Sequence, residues 1–404
     1  MNKKIGFFLI LTFLFIGIIG CSQTGNTNNQ GQENQTNAPS ANENNEKNGT
    51  SGIDKSQIMT WTSYDVGSAG YVQAAAVANA ITKETGINIR IMPSGTSVGR
   101  LTPLKSGQAK YGLLSDEVFF ASEGLYEFAN YEWGPQDLRV LLQPPSPTVL
   151  AVTKESGIKT PADLKGKKIA WVQASPSLYV KTEALLAFAN LTWDDVEKIE
   201  VPSHGDALNG LIEGRIDAAI ATPTVSKIYE LENSPQGLHW LEFPEDDVEG
   251  WKRVQEITPW VSYNEYTDGG AGIEEGGTRD FPATRYPQVV TYANQSADEV
   301  YELMKYIDET YDLYKDVDPV MHNWEMEKSG RPKASAPFHE GSIRYLKEIG
   351  IWTEEDDAWN EHQIERTKTL QDAWNKAVEL ATDEGISSKD FPEFWLKIRE
   401  EALK

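Results

Sequence analysis

The stretch GQAKYGLLS runs from Gly107 to Ser115, and a second stretch of similar layout, GRIDAAIAT, runs from Gly214 to Thr222. In each, a glycine ends a predicted helix, a short apolar strand follows, and a hydroxyl residue comes at the strand's carboxyl end. Ligands of open α/β sheets bind beyond such strand ends. The two stretches therefore predict equivalent units in two separate sheets, with chance similarity between two ordinary βα units as the alternative.

Short apolar runs alternate with helical patterns on both sides of these stretches, which favours βα units and mostly parallel sheets. Ala74, Val77, Ala78 and Ile81 follow the three-four spacing of one helix face. A proline-rich crossover over 143–147 separates two such series and predicts two doubly wound lobes. The predicted strands are 58–61, 87–91, 111–114, 138–142, 149–152, 168–172, 198–201 and 217–221, and further helices are predicted at 177–190 and 206–213.

The N-terminus has the pattern of an export signal. Lys3 and Lys4 precede an apolar run from Ile5 to Ile19 that is too short to span a bilayer comfortably. The run ends in Gly20 and Cys21, the single cysteine of the chain, and resembles the lipobox at which bacterial lipoproteins are acylated on the cysteine thiol. The alternative is a free cysteine behind an ordinary signal peptide.

The segment after the cysteine consists almost entirely of Asn, Gln, Gly, Ser, Thr and Glu as far as Gly52. Such a composition cannot bury enough apolar surface to offset its ordering entropy, so we expect a tether. The expected organisation is a lipoprotein signal peptide (1–20), a low-complexity tether (21–56), a discontinuous first lobe (57–145 and 246–345), a second lobe (146–245) and a C-terminal helical tail (346–404).

The net charge and the spacing of possible metal ligands exclude several classes of function. A formal net charge of −24 argues against nucleic acid and against general electrostatic binding to anionic lipid. The five histidines are scattered without metal-ligand spacing, and Asp268 to Glu275 lacks the alternating carboxylates of a calcium loop. We therefore expect no metal and no cofactor.

Loops rich in glycine and hydroxyl residues follow several predicted strands. Ser63 to Tyr71, Ser94 to Ser97 and Gln173 to Ser177 each open a helix, whose free N–H groups bind carboxylate or phosphate oxygens. Because these loops contain few basic residues, we expect a small polar solute bearing a carboxylate and held mainly by neutral donors. Arg100 and Arg285 are the reserve candidates for a direct ion pair.

From about Ile58 to Trp352 the chain resembles the TAXI-type solute receptors of TRAP (tripartite ATP-independent periplasmic) transporters. No single motif is decisive, but their order and spacing together are specific. The matching segments are Val66 to Tyr71, Ser94 to Gly107, Tyr111 to Ser115, Ala162 to Ala170, Gly210 to Ala219, Phe281 to Tyr292 and Pro337 to Ser342.

This resemblance implies an α/β type II periplasmic-binding-protein fold with two hinged lobes, no catalysis, and delivery of the solute to a TRAP membrane permease. The loop 173–177, the insert 267–279 and the acidic tail beyond Thr353 depart from the family, which puts its usual amino-acid or dicarboxylate ligand in doubt. The candidate ligand-binding residues are Tyr64, Ser68, Ala69, Thr96, Ser97, Ser115, Asp116, Gln143, Ser175, Ser177, Thr222 and Tyr286.

Two other classes of function are open. Gly95 to Gly99 matches the G-x-S-x-G pattern of a hydrolase nucleophile elbow centred on Ser97, although too few strands precede it and no histidine lies in a partner motif. A binding lipoprotein of an ATP-driven importer or of a sensor would use the same capture mechanism. The genes beside this one would separate that class from a TRAP receptor.

Replacement of Cys21 tests the lipid anchor. Cys21→Ala removes the only thiol that could be acylated, so we expect the protein to leave the membrane fraction or to accumulate unprocessed. Globomycin, which blocks lipoprotein signal cleavage, should cause the precursor of the unaltered chain to accumulate. The prediction would be contradicted if the variant fractionated with membranes as before and if mass spectrometry of the unaltered protein found no lipid on Cys21.

Overall fold

The computed structural model describes residues 52–332 and 335–404, so the predictions of a signal peptide, of lipidation at Cys21 and of most of the tether lie outside the described residues. The strands are β1 (Met59–Ser63), β2 (Ile89–Pro93), β3 (Tyr111–Leu114), β4 (Leu138–Leu142), β5 (Pro145–Pro147), β6 (Val149–Thr153), β7 (Lys168–Val172), β8 (Glu197–Val201), β9 (Ala218–Ala221), β10 (Leu238–Trp240), β11 (Ser262–Tyr266), β12 (Arg279–Arg285) and β13 (Gln288–Tyr292).

Thirteen α-helices surround these strands in the described part of the chain. They are α1 (Ala69–Thr85), α2 (Ser97–Lys105), α3 (Glu117–Glu123), α4 (Pro176–Phe188), α5 (His204–Ile212), α6 (Ser226–Glu232), α7 (Val248–Ile257), α8 (Ala297–Glu309), α9 (Tyr311–Tyr314), α10 (Met326–Ser329), α11 (Glu340–Glu348), α12 (Glu354–Glu384) and α13 (Phe391–Ala402). None of the described helices is both long enough and apolar enough to cross a membrane.

Two five-stranded sheets have the same topology. The first has the order β2-β1-β3-β13-β4, and the second has the order β8-β7-β9-β6-β10. In each sheet four strands point the same way and one is reversed, because β13 is antiparallel to β3 and β4 while β6 is antiparallel to β9 and β10. Each reversed strand is the first that the chain forms after crossing from the other lobe. This is the type II periplasmic-binding-protein fold, and the predicted fold is confirmed.

The two crossovers lie side by side. β5, which leads into the second lobe, pairs with the end of β12, which leads back to the first, and β11 completes a third, three-stranded sheet. Prolines at 145 and 147 fix φ and suit an edge strand, because they have no N–H to donate to a further neighbour. The connection between the lobes is thus a short antiparallel ribbon.

The capping chemistry of the first βα unit shows why the predicted periodicity succeeds. Ser68 accepts a hydrogen bond from the Tyr71 amide at the start of α1, and Gly86 ends the helix in a left-handed conformation at φ 76°. Between these caps the predicted apolar stripe from Ala74 to Ile81 is buried against the first sheet.

The boundary between the lobes differs from the expected one. The sequence places all of 246–345 in the first lobe, but α7 packs against α4, and Trp251, Val254 and Phe281 lie in the apolar core of the second lobe. The chain rejoins the first sheet only at β13. The apolar face of α7 and the β11–β12 hairpin extend the second core, and no change in the sequence pattern marks that continuation.

The C-terminal tail is a helical hairpin with an apolar cluster of its own. Leu370, Ala377, Phe391 and Trp395 from α12 and α13 pack together and onto Ala129 of the first lobe. Thr353 and Asp356 form a capping box that starts α12, and Gly385 in a left-handed conformation ends it. The tail is therefore joined to the first lobe by apolar burial around Ala129, and Asn360 of α12 also accepts a hydrogen bond from the Phe338 amide at 2.6 Å.

Candidate functional site

The carboxyl ends of strands from both sheets face each other, and the loops after them touch. The Val98 amide donates to the Ala174 carbonyl at 3.2 Å, and the His204 amide donates to the Gly95 carbonyl at 3.1 Å. The Gly205 amide, at the start of α5, donates to the Asp65 carboxylate at 2.8 Å. These bonds join residues far apart in sequence and hold the two lobes in direct contact.

Three serine hydroxyls meet inside this contact. Ser97 Oγ lies 2.8 Å from Ser177 Oγ and 3.2 Å from Ser175 Oγ, and the Tyr64 hydroxyl lies 3.2 Å from Ser177 Oγ. All three serines are fully buried. Since Ser97 starts α2 in the first lobe and the other two start α4 in the second, two helix N-termini converge on one hydroxyl cluster.

A fully buried ion pair lies beside the serine cluster. Arg100 donates to the Glu117 carboxylate at 2.8 Å, neither side chain is exposed, and the guanidinium stacks on the Tyr64 ring at 3.3 Å from its centroid. Burial is the largest single influence on the pKa of Arg100 and lowers it, but the charge and hydrogen bond of Glu117, together with Tyr64 and Tyr286, raise the pKa above its ordinary value. Arg100 therefore stays charged and is neutralised by the protein itself.

A second ion pair crosses between the lobes. The Lys181 ammonium on α4 lies 3.3 Å from the Asp116 carboxylate in the first lobe and 3.3 Å from Ser115 Oγ. Thr284 Oγ1 on the returning crossover donates to Asp116 at 3.2 Å. Lys181 and Asp116 are almost wholly buried, so water screens the attraction between their charges only weakly.

A small cavity of about 40 Å³ lies between the lobes next to Lys181. A water molecule needs roughly 10–15 Å³ of such space, so the cavity has room for about three water molecules. A larger solute fits only when the lobes stand somewhat further apart than in this arrangement. Its wall includes Tyr64, Ser115, Lys181, His204 and Thr222, and the crossover residues Pro147, Thr148, Thr284 and Tyr286 complete it.

Two polar atoms of the wall are buried without a hydrogen-bond partner among the described residues, namely His204 Nδ1 and Thr222 Oγ1. Burial lowers the pKa of His204, so its ring is neutral near pH 7. Because Nε2 lies 2.9 Å from the Ile220 carbonyl, that nitrogen carries the proton and Nδ1 is an acceptor. The cavity thus offers an ammonium donor, hydroxyls and one imidazole acceptor.

The structure brings most of the predicted site residues to this contact. Tyr64, Ser68, Ala69, Ser115, Thr222 and Tyr286 line the cavity. Ser97, Ser175 and Ser177 form the serine cluster behind it, and Asp116 holds Lys181. The hydroxyl residues of the repeated layout, Ser115 and Thr222, thus line the same cavity from opposite lobes.

Four predicted residues have other partners. Thr96 caps α2 by accepting from the Gly99 amide at 3.0 Å, and Gln143 donates to the Arg331 carbonyl at 2.7 Å, so neither reaches the cavity. Arg100 is taken up by Glu117, and Arg285 donates to the backbone carbonyls of the first lobe and its crossover. This geometry therefore gives no support to a direct ion pair between the solute and Arg100 or Arg285.

Sequence reasoning missed Lys181 and His204. Lys181 follows Ser177 by four residues and so lies on the same face of α4, which is the signal that could have identified it. His204 follows the N-cap Ser203 at the start of α5 and resembles an ordinary helix beginning. A lysine in a mixed helix is usually solvated, and only the tertiary fold shows that this one is buried.

The contacts and backbone of Ser97 do not support the hydrolase hypothesis. The hydroxyl partners of Ser97 among the described residues are Ser175, Ser177 and Arg100, and none is a histidine. Its backbone is the first turn of an ordinary helix and lacks the positive φ found at Ala174. Ser97 therefore contributes to the contact between the lobes.

A family model described as the NMT1-like family matches residues 65–350. Among solved structures, a protein from Bordetella bronchiseptica RB50 is 17% identical with a TM-score of 0.44, and the match covers 72% of this chain and 88% of that one. MatC from Rhodopseudomonas palustris with bound malate is 13% identical with a TM-score of 0.45, covering 64% and 87%. An ABC uptake transporter substrate binding protein from Streptococcus pneumoniae with bound histidine is 20% identical with a TM-score of 0.37, covering 64% and 87%. Likenesses this distant say nothing about the ligand of this chain.

The buried Arg100–Glu117 pair gives a stability prediction. Glu117→Leu leaves a buried guanidinium unpaired, so we expect a loss of about 3–5 kcal/mol in the free energy of unfolding. Arg100→Met combined with Glu117→Leu removes both charges and should lose distinctly less. Urea unfolding of the two variants measures the difference, and a double variant as unstable as the single one would contradict a buried, mutually neutralised pair.

Proposed function

The chain belongs to the NMT1-like family, and from this premise we propose that it is an extracytoplasmic solute-binding protein. It captures a small polar solute bearing a carboxylate in the cleft between its lobes and delivers that solute to a TRAP-type membrane transporter. Through acylated Cys21 the protein is held at the outer face of the membrane. Neither catalysis nor a cofactor is part of this function.

The observation that carries the proposal is the cavity at the contact between the lobes, whose largely apolar wall holds a few buried polar groups. It is walled by both sheets' strand ends and contains the buried ammonium of Lys181 with the unpartnered atoms of His204 and Thr222. Buried polar atoms without partners are costly, because each has given up its hydrogen bonds to water. A solute that supplies those hydrogen bonds removes the cost.

The donors and acceptors of the cavity indicate the chemistry of the solute. A carboxylate accepts from the Lys181 ammonium and from the hydroxyls of Ser115 and Tyr64, and a second group on the solute donates to His204 Nδ1. A hydroxyl or an amino group next to the carboxylate meets both needs. The solute is therefore a small acid that also carries a hydrogen-bond donor.

The charge balance limits the charge of that solute. Asp116 already compensates Lys181, and Glu117 compensates Arg100, so the four buried charges sum to zero before the solute enters. An ion transferred into a low-dielectric site without a counter-charge is strongly disfavoured. A zwitterionic amino acid thus fits better than a dicarboxylate, which would add two uncompensated negative charges.

Binding and closure are coupled in this account. Lys181, His204 and Thr222 belong to the second lobe, whereas Tyr64 and Ser115 belong to the first, so a solute contacts both sets only when the lobes are closed. This difference in affinity shifts the population towards the closed form. The short ribbon formed by β5 and β12 is where we place the bending.

Delivery to a TRAP permease rests on the sequence resemblance from Ile58 to Trp352. An ATP-driven importer or a sensor would receive the same closed form, and no described contact favours either of them. A multi-spanning TRAP permease encoded beside this gene supports the proposal, and an ATPase subunit in its place would contradict it.

Lys181 is the residue whose replacement tests the solute chemistry. Calorimetry with the common L-amino acids and with malate and succinate identifies a binder, and Lys181→Met should then weaken its affinity by about one to two decades through the lost charge-assisted hydrogen bond. Lys83→Met on the exposed face of α1 is the matched control and should leave the affinity unchanged. Affinity indifferent to both Lys181→Met and His204→Gln would place the solute elsewhere.

A further inference from the structure

The C-terminal hairpin of α12 and α13 lies outside the residues that the family model matches, and yet it is hydrogen-bonded to a helix that carries residues of the site. That helix, α3, has only seven residues, and six of them are buried. It packs against α4 of the second lobe and against α12 of the tail. The tail and the second lobe therefore contact the same short helix.

The carboxyl end of α3 is held by charge. Arg366 on α12 donates twice to the Glu123 carboxylate, at 2.7 and 2.8 Å, and Arg399 on α13 donates to the same carboxylate and to the Glu123 carbonyl. The Glu123 side chain is only 6% exposed. The Trp395 indole donates to the Gly124 carbonyl at 2.7 Å, so both tail helices are bonded to this one helix end.

The amino end of α3 carries the acids of the site. Glu117 is its first residue and pairs with Arg100, while Asp116 precedes it and pairs with Lys181 across the lobes. Asp116 makes no side-chain capping bond to the helix, because its carboxylate is directed to Lys181 and Thr284. The two ends of a single short helix thus face the tail and the second lobe.

A helix of seven residues is far below the length at which helices are stable alone, so its position depends on its tertiary anchors. We propose that Glu123, held by Arg366 and Arg399, is a positioning residue that sets where α3 presents Asp116 to Lys181 and thereby favours the closed form. This inference rests on the proposed function, in which closure accompanies solute capture. In this inference the C-terminal tail takes part in closing the lobes.

Distances between the lobes test this inference without a solute. In the full chain carrying Cys21→Ser, cysteines introduced at the exposed positions Lys83 on α1 and Glu230 on α6 take spin labels, one on each lobe. We expect Glu123→Gln to reduce the fraction of molecules at the closed distance by about twofold or more. We expect Asp116→Asn, which removes the charge that faces Lys181, to cause a similar reduction. The double variant should show no further reduction, since both act on one contact. Arg366→Gln is the second variant if Glu123→Gln fails to fold.

Two control variants separate positioning from general stability of the tail. Ala377→Gly weakens the middle of α12 away from Glu123, and Lys397→Gln breaks the exposed pair with Glu393 on α13. Both should leave the distance distribution unchanged, even where Ala377→Gly lowers the melting temperature as much as Glu123→Gln does. Distances altered equally by Ala377→Gly would overturn the inference.

The remaining outcomes are distinguishable from a failure of the proposed function. If Asp116→Asn changes the distances while Glu123→Gln and Arg366→Gln do not, the inference is wrong and the closure contact stands. If Asp116→Asn also leaves the distances unchanged, the contact between Asp116 and Lys181 does not control closure, and the inference is overturned together with the closure step of the proposed function.

Discussion

The contact between the two lobes depends on the pairwise neutralisation of four buried charges. Arg100 with Glu117 and Lys181 with Asp116 lie where water is excluded, and an unpaired charge there would be strongly destabilising. The first pair is complete within one lobe and stays intact whether the lobes are together or apart. The second pair spans the lobes, so separating them returns Lys181 and Asp116 to water. In the proposed function, this asymmetry makes Lys181 the group that links opening and closing of the lobes to solute chemistry.

The site is built on strand ends of both sheets and on the helices that begin beside them. Tyr64 and Ser115 lie just beyond strands of the first sheet, and Thr222 lies just beyond a strand of the second, so rigid sheets fix their positions. The ribbon of β5 and β12 joins the lobes at one side only. Relative motion therefore changes the distance between the two sets of side chains without changing either set. The tail hairpin contacts the first lobe through α3, Ala129 and Phe338.

Much of the fold could be predicted from the sequence because its signals are local. The apolar stripe of α1, the strands around Leu113 and Ile220, and the proline crossover each follow from spacing within a few residues. The hydroxyl residues at the strand ends were predictable for the same reason. Lys181, His204 and the continuation of the second core through Phe281 were not, since each depends on burial that only the packed chain produces. Glu123 is a further example, because its two arginine partners lie more than 240 positions away.

The central claim is that the lobes close on a solute and that this closure is the function of the fold. Small-angle X-ray scattering of the full chain carrying Cys21→Ser, free and then saturated with the solute found by calorimetry, tests it most directly. The account predicts a smaller radius of gyration in the saturated protein, with scattering that approaches the curve calculated for the closed arrangement described above. An unchanged radius of gyration at saturation would contradict the account and would mean that a rigid, preformed pocket takes up the solute.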